Sequence, residues 1–128
     1  MKRMESVMDI RIITINSAKI ALANSGEVII SDSQTALDFA VGIGYGHDCH
    51  NIAINKEAIN ESFFDLTSGL AGEITQKLVN YRYRLAIIGD YSAYQSSSLK
   101  AFIFESNNGN CLFFVASEQE AIEKLAEL

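Results

Sequence analysis

Short apolar runs alternate along the chain with segments whose apolar residues recur at helical spacing. The strand-like runs are residues 9–16, 19–24, 49–55, 83–90 and 111–116. The helical segments are residues 31–42, 61–81, 96–109 and 117–128. The first two runs meet at Asn16-Ser17, which predicts a hairpin. A further short apolar run, residues 27–30, follows that hairpin. The pattern therefore predicts the order β-β-α-β-α-β-α-β-α.

Polar and glycine residues indicate where the helices begin and end. Capping-box spacing is present in two pairs, Ser31 with Gln34 and Ser117 with Glu120. Three glycines are predicted to end the first helix: Gly42, Gly44 and Gly46. The apolar stripe of the second helix is predicted to start at Phe63 and Leu66.

Strands that alternate with helices predict an α/β fold: a single-layer, mostly parallel sheet with helices packed on it and right-handed crossovers. The antiparallel hairpin at the start makes the sheet mixed. No proline, linker or repeat divides the chain of 128 residues. We expect residues 1–8 to be a flexible N-terminus and residues 9–128 to form one domain.

Charge and hydropathy exclude several classes of protein. The chain has 10 basic and 16 acidic residues, a net charge of -6, which argues against a nucleic-acid or anionic membrane surface. No apolar run approaches the roughly 20 residues that span a bilayer, and the first residues lack the apolar segment of a signal peptide. Cys49 and Cys111 form no CxxC pair, so we expect reduced core cysteines in a cytoplasmic protein; a regulatory disulfide is the alternative.

Residues 63–73, FFDLTSGLAGE, raise the question of function. In one interpretation Asp65 or Thr67 caps a helix, while Gly69, Ala71 and Gly72 allow close packing on the sheet. In the other, a hydroxyl is held at a helix N-terminus for phosphorylation, where free N–H groups and the helix dipole favour a phosphate.

The run Asp65-Leu66-Thr67-Ser68-Gly69-Leu70, preceded by two phenylalanines, resembles a motif of the STAS domain (sulfate transporter and anti-sigma factor antagonist). The predicted element order is also similar to that family. The resemblance implies a STAS-like fold, a protein partner and a phosphoacceptor hydroxyl at Thr67 or Ser68. More narrowly, residues 63–109 resemble a bacterial family of unknown function.

The motif departs from the STAS pattern at one position. In that family the phosphorylated hydroxyl directly follows the acid, but here Leu66 separates Asp65 from Thr67. Alignment on Gly69 places Thr67 at the acceptor position, whereas alignment on Asp65 places Leu66 there.

From this motif the sequence predicts a regulatory or protein-binding module. Its expected partner surface is formed by Asp65, Gly69, Gly72 and Glu73, and a phosphate of about -1.5 to -2 charges would change docking there. The expected partner is another protein or a second copy of the chain. We expect no cofactor and no metal.

A second hypothesis is a small-molecule site, with enzymatic activity left open. Asp90 ends the run LAIIG, and ligands bind at the carboxyl ends of strands in open α/β sheets. Asp90, Tyr91 and Tyr94 are the candidate ligand residues, with Asp65 and Thr67 near the same edge. A catalytic role would require a buried carboxylate with a shifted pKa.

Two other stretches have ordinary structural interpretations. Residues 42–50, GIGYGHDCH, contain His47, Asp48 and His50, which could bind a metal but more simply form a helix-to-strand loop. In YRYR, residues 81–84, we expect the two tyrosines to pack and the two arginines to be solvated or paired with acids.

Overall fold

The structure, a computed structural model, describes residues 8–126 and contains one five-stranded sheet with its strands in sequence order. The strands are β1 Met8–Ile15, β2 Ala18–Ser25, β3 Asn51–Asn55, β4 Arg84–Ile88 and β5 Leu112–Val115. β1 is antiparallel to β2, and all later neighbours are parallel. The predicted element order and the mixed, mostly parallel sheet are confirmed.

Four helices cover the two faces of this sheet unequally. They are α1 Ser33–His47, α2 Leu70–Asn80, α3 Ser97–Asn107 and α4 Glu118–Ala126. From β2 to β5 the chain always moves to the next strand in the same direction. Crossovers of one hand therefore place α1, α2 and α3 on the same face, where they enclose the larger core. α4 follows the last strand and packs on the other face, against a smaller core that includes Ile20, Ala86 and Phe113.

The hairpin turn forms where the sequence predicts it. Asn16 and Ser17 both have positive φ, 51° and 72°. A two-residue turn in which both residues have positive φ matches the right-handed twist of the two strands that it joins. Ile15 pairs with Ala18 across this turn. The apolar run 27–30 contributes only a single bridge, from Ile30 to Ile59.

The predicted ends of α1 are wrong at both termini. Asp32 is the N-cap: its carboxylate accepts the Thr35 N–H at 2.8 Å, so the predicted pair of Ser31 and Gln34 does not form the box. All three glycines lie inside the helix, which ends at His47 and is followed by its C-cap, Asp48, in the left-handed region. Gly44 is needed there because a Cβ would lie 2.7 Å from the Tyr83 hydroxyl. That tertiary contact has no local signal in the sequence.

The predicted start of the second helix is also wrong. Residues 61–64 and 66–68 form separate 3-10 turns that contain Phe63 and Leu66, and α2 begins only at Leu70. Gly69 has φ 78°, which interrupts the helical backbone. Phe63 is nevertheless fully buried, so the apolar stripe indicates core positions correctly although the local structure differs.

β5 is an edge strand, and side chains bond the outward backbone groups of Phe114 and of Ala116, which directly follows the strand. The Asn107 amide accepts from the Phe114 N–H at 2.7 Å and donates to its carbonyl oxygen at 3.1 Å. The Glu120 carboxylate accepts from the Ala116 N–H at 3.0 Å. Both contacts protect this edge from pairing with another chain.

The described region begins inside the stretch predicted to be flexible. Residues 1–7 lie outside the described residues, and Met8 already belongs to β1. Between Met8 and Ala126, no helix combines the length and apolar character needed to cross a membrane.

Candidate functional site

The first candidate site is the turn that leads into α2. The Asp65 carboxylate accepts from the Thr67 N–H at 3.1 Å and from the Thr67 hydroxyl at 2.7 Å. Asp65 therefore caps the 3-10 turn of residues 66–68 and not α2 itself. Asp65 and Thr67 are exposed, so this hydroxyl lies at the surface beside a carboxylate.

Ser68 has a different hydrogen-bonding role from Thr67. Its hydroxyl donates to the Ser62 carbonyl oxygen at 2.7 Å and accepts from the Leu70 N–H at 3.2 Å. Ser68 thus bonds one of the free N–H groups in the first turn of α2. Sequence reasoning favours Thr67 as the acceptor, but Ser68 is the hydroxyl that lies against the helix N-terminus.

The two glycines of the predicted partner surface have open space where a side chain would be. A Cβ added to Gly69 or Gly72 would have no neighbour within 4 Å. The prediction that these glycines allow close packing on the sheet is therefore wrong for both, although the neighbouring Ala71 is buried. Gly69 is explained by its positive φ. Gly72 has ordinary helical backbone, so nothing in the described part of the chain, residues 8–126, explains its lack of a side chain.

The second candidate site is at the carboxyl ends of β3 and β4, where Lys56 connects two loops. Its ammonium lies 5.0 Å from the ring centroids of both Phe64 and Tyr94, and 3.6 Å from the Glu61 carboxylate. Glu61 in turn accepts from the Tyr94 hydroxyl at 2.7 Å. Gly89 makes room for this arrangement, because a Cβ there would lie 2.6 Å from the Lys56 Cβ.

Electrostatics at this cluster favour the charged lysine. Burial alone would lower the pKa of Lys56, but the Tyr94 hydroxyl and nearby Glu61 and Glu57 outweigh burial and raise that pKa. A lysine with a raised pKa keeps its proton at neutral pH and cannot serve as a nucleophile there. This lysine therefore acts as a tether between the loops.

The predicted ligand residues meet at this end of the sheet, but they do not form a catalytic base. Asp90 is exposed and accepts from the Ser92 N–H at 2.9 Å, and this bond lowers the pKa of the Asp90 carboxyl. The Tyr91 hydroxyl donates to the Ile87 carbonyl oxygen at 2.7 Å, and burial raises the pKa of Tyr91. A general base near neutral pH requires the opposite shift in Asp90.

An open cleft of about 500 Å³ adjoins these residues, between the ends of β4 and β5. Asp90 and Tyr91 line it from one loop and Glu120 lines it from α4. Thr67 and Asp65 do not line this cleft. Phe64, the residue before Asp65, does pack against Tyr91 and Tyr94, with ring centroids 6.0 Å and 5.3 Å away. The two predicted sites are thus neighbours joined by aromatic packing.

Sequence reasoning missed Lys56 and Glu61 at this site. Lys56 directly follows β3, so the rule that ligands bind at strand ends could have found it. Glu61 lies in a turn whose position depends on tertiary packing, and its pairing with Tyr94 had no sequence signal.

Arg84 and Lys124 form a second group that the sequence did not reveal. Both side chains lie over the Phe113 ring, beside a cleft of about 640 Å³. The Arg84 guanidinium donates to carbonyl oxygens of Lys124 and Leu125 at the end of α4, and to that of Asn110. Arg84 is half-buried, and through these bonds it holds the end of α4 on the sheet.

The remaining candidates have structural roles. Asp48 ends α1, and His50 packs on the Tyr83 ring with centroids 4.7 Å apart. Within residues 8–126, no three histidine, cysteine or acidic side chains are grouped to hold a metal. Of the two tyrosines expected to pack, Tyr83 is buried, but Tyr81 is 51% exposed.

The two cysteines are free thiols, as expected. The Cys49 thiol is buried and lies 3.2 Å from the carbonyl oxygens of Lys19 and Asn51. The Cys111 thiol donates to the Tyr83 carbonyl oxygen at 3.4 Å, and burial raises its pKa. A raised pKa reduces the thiolate fraction, so Cys111 is poorly suited to nucleophilic chemistry.

Comparison with known proteins supports the narrower of the two resemblances. No curated protein matches the sequence. A family described as a domain of unknown function (DUF4180) matches residues 15–125, which includes every helix and every strand after β1 in full or nearly so. The likeness to STAS domains stays a prediction. The chain belongs to the DUF4180 family.

Proposed function

We propose that this domain is a regulatory protein-binding module that docks a partner protein on the surface around the start of α2. This surface consists of Asp65, Gly69, Gly72 and Glu73, all exposed. The observation that carries the proposal is Gly72, a helical glycine with open space where its side chain would be.

Energetics explain why Gly72 is informative. A glycine inside a helix destabilises the fold by roughly 0.5–1 kcal/mol relative to alanine. Nothing within 4 Å of the Cβ position compensates for that loss in the isolated domain. A partner backbone that approaches α2 closely would need a glycine there. The exposed carboxylates of Asp65 and Glu73 give the same surface a negative charge.

Phosphorylation would alter this surface differently at Thr67 and at Ser68. At Thr67, a phosphate would replace the bond to Asp65 with repulsion between two anions. At Ser68, it would lose the bond to the Ser62 carbonyl oxygen but remain beside the Leu70 N–H, where the helix N-terminus favours an anion. Ser68 is therefore the better acceptor electrostatically, and Thr67 the more disruptive one.

The resemblance to STAS domains supports this proposal through the element order and the Asp-x-Thr-Ser-Gly-Leu turn. The inserted Leu66 lies in the 3-10 turn between the acid and the hydroxyl, so a kinase would meet an altered geometry. Both cysteines are free, which fits a reducing compartment, and we place the module in the bacterial cytoplasm.

Pull-downs with quantitative mass spectrometry, from the cell that produces the protein, test the docking surface. We compare the wild type with Gly72→Ala and with Gly46→Ala, a helical glycine of α1 that also has open space at its Cβ position. Both alanines should stabilise their helices. A partner lost only with Gly72→Ala supports the proposal, and an identical set of partners for all three proteins contradicts it.

The phosphorylation step has a separate test. Intact-mass spectra of the protein from the same cell should show an added phosphate that disappears in Ser68→Ala or Thr67→Ala. If neither hydroxyl is ever modified and Ser68→Glu leaves partner capture unchanged, the regulatory part of the proposal fails while the docking surface stands.

A second candidate function is binding of a small molecule in the cleft beside Asp90. The cleft opens at the carboxyl ends of two parallel strands, where such folds bind ligands. The lowered pKa of Asp90 favours a binding role over a catalytic one. Thermal-shift screening of small cationic metabolites, with Asp90→Asn as the control, tests it: a ligand that stabilises both proteins equally does not use this site.

A further inference from the structure

The hairpin geometry determines which backbone groups of β1 point away from the sheet. Ile15 and Ala18 flank the two-residue turn, and in such a hairpin this pair exchanges both hydrogen bonds. Alternate residues of β1 therefore bond to β2, and the N–H and C=O groups of Ile10, Ile12 and Thr14 point outward. Every residue of β1 has a partner in one continuous register, so no bulge turns this edge away.

The two edges of the sheet are treated differently. On the β5 edge, Asn107 bonds both outward backbone groups of Phe114, and Glu120 bonds the N–H of Ala116 just after the strand. Within the described chain, no side chain bonds to the outward groups of Ile10, Ile12 or Thr14. An unprotected, regular edge strand is a template for pairing with another strand. β1 is therefore the edge of this sheet that is suited to an interface.

An apolar groove of about 260 Å³ runs between β1 and α1. Its apolar lining consists of Met8, Ile10, Phe39, Gly42 and Ile43. Gly42 has no atom within 4 Å of its Cβ position, so the groove stays open above it. A strand that pairs with β1 would place alternate side chains on this face of the sheet, next to the groove.

The charges on the opposite face indicate which strand fits. Asp9 and Arg11 are exposed and flank Ile10. A two-fold axis through Ile10 sets Asp9 of each copy directly opposite Arg11 of the other, in the pairs whose side chains approach most closely. Shifting the axis to Arg11 would bring two arginines together. The strand is therefore self-complementary in charge.

We propose that β1 pairs antiparallel with β1 of a second copy, around Ile10, and joins two domains into one ten-stranded sheet. The two-fold contact pairs residues 8–12 of one copy with residues 8–12 of the other, and it places Ile10 and Ile12 of each copy beside the groove of its partner. Arg11 already forms an ion pair with Glu118 of α4, so in the dimer it bridges Glu118 and Asp9 of the second copy.

Charge-swap variants of the full chain test this interface by sedimentation velocity over a wide range of protein concentration. The wild type should sediment at twice the chain mass of 14.1 kDa. Asp9→Arg or Arg11→Asp alone creates two like-charge pairs and should raise the dissociation constant by about tenfold or more. The double variant Asp9→Arg/Arg11→Asp should restore dimerisation, and a mixture of the two single variants should form a heterodimer.

Two controls separate the interface from other effects. Glu118→Gln removes the intramolecular ion pair of Arg11 without changing the edge, and should leave the dimer intact. Circular dichroism should show that both single variants remain folded. A monomeric wild type, or a dimer that is indifferent to the charge swaps, would overturn the proposal.

Hydrogen exchange is a second measurement of the same interface. In the wild type, the Ile10 and Ile12 amides should exchange hydrogen more slowly as protein concentration rises. Exchange that is independent of concentration would count equally against the proposal.

Discussion

Asn107 bonds both backbone groups of Phe114 and so takes the place of a neighbouring strand. Its side chain accepts the Phe114 N–H at 2.7 Å and donates to the carbonyl oxygen at 3.1 Å. Asn107 is the last residue of α3, so one amide both protects the sheet edge and fixes the end of the helix that crosses over it.

Asn107→Ala should therefore destabilise the domain by about 2 kcal/mol, because it leaves two backbone groups of a largely buried strand without partners. Urea denaturation measures this change. Asn108→Ala is the matched control: the Asn108 side chain is exposed and its one bond within the described chain is to the Phe104 carbonyl oxygen four residues earlier, so its loss should cost much less. Equal losses for both variants would show that Asn107 does not protect the edge.

Gly69 and Gly72, three residues apart, should respond to alanine in opposite directions. Gly69 has φ 78°, which a side chain disfavours, so Gly69→Ala should lower the free energy of unfolding by about 1 kcal/mol. Gly72 lies in regular helix with open space around it, so Gly72→Ala should raise the free energy of unfolding by about 0.5–1 kcal/mol. Thermal unfolding of the two variants side by side checks both signs, and a destabilised Gly72→Ala would reveal an intramolecular reason for that glycine.

The sequence pattern was sufficient for the architecture because each element has its own periodicity. The alternation of strands and helices predicts the element order and the mostly parallel sheet, whereas the strand order and the position of α4 on its own face are known only from the structure. Local signals were less reliable at the ends of elements. The glycines in α1 were interpreted as the end of the helix. Gly44 instead leaves room for the Tyr83 hydroxyl, which belongs to a residue 39 positions later in the chain.

The candidate site could be predicted only in part, for the same reason. Asp90, Tyr91 and Tyr94 do meet at the carboxyl end of the sheet, which follows from topology alone. Whether Asp90 is a base depends on its burial and its partners, and these arise from tertiary structure. The exposure of Asp90 and its bond to Ser92 could not be predicted from the sequence.

The pKa of Asp90 gives a prediction for the pH dependence of stability. Its bond to the Ser92 N–H lowers the folded pKa, so the charged carboxylate stabilises the folded state above the unfolded pKa. That contribution is lost as pH falls through the folded pKa. Asp90→Asn keeps an acceptor but removes the titration, so the stability difference between wild type and variant should be constant near neutral pH and shrink below about pH 4. Urea midpoints measured at a series of pH values check this. If the stability difference between wild type and Asp90→Asn grows as pH falls, the pKa of Asp90 is raised in the folded state and not lowered.

The Tyr94–Glu61 bond should hold the loop after β4 in place. The Tyr94 hydroxyl donates to Glu61 at 2.7 Å while its ring stacks on Phe64, so Tyr94→Phe removes the bond and keeps the packing. We expect a loss of about 0.5–1.5 kcal/mol in the free energy of unfolding and faster hydrogen exchange in residues 91–96.

A double-mutant cycle isolates this bond from other effects of the two substitutions. Tyr94→Phe and Glu61→Ala should each destabilise the domain, and the double variant should be less destabilised than their sum, with a coupling of about 1 kcal/mol. Tyr81→Phe is the control, because the Tyr81 side chain is exposed and should tolerate loss of its hydroxyl. Additive losses would mean that this bond does not hold the loop, and that the ring packing of Tyr94 and the Lys56 ammonium over the rings of Phe64 and Tyr94 do so instead.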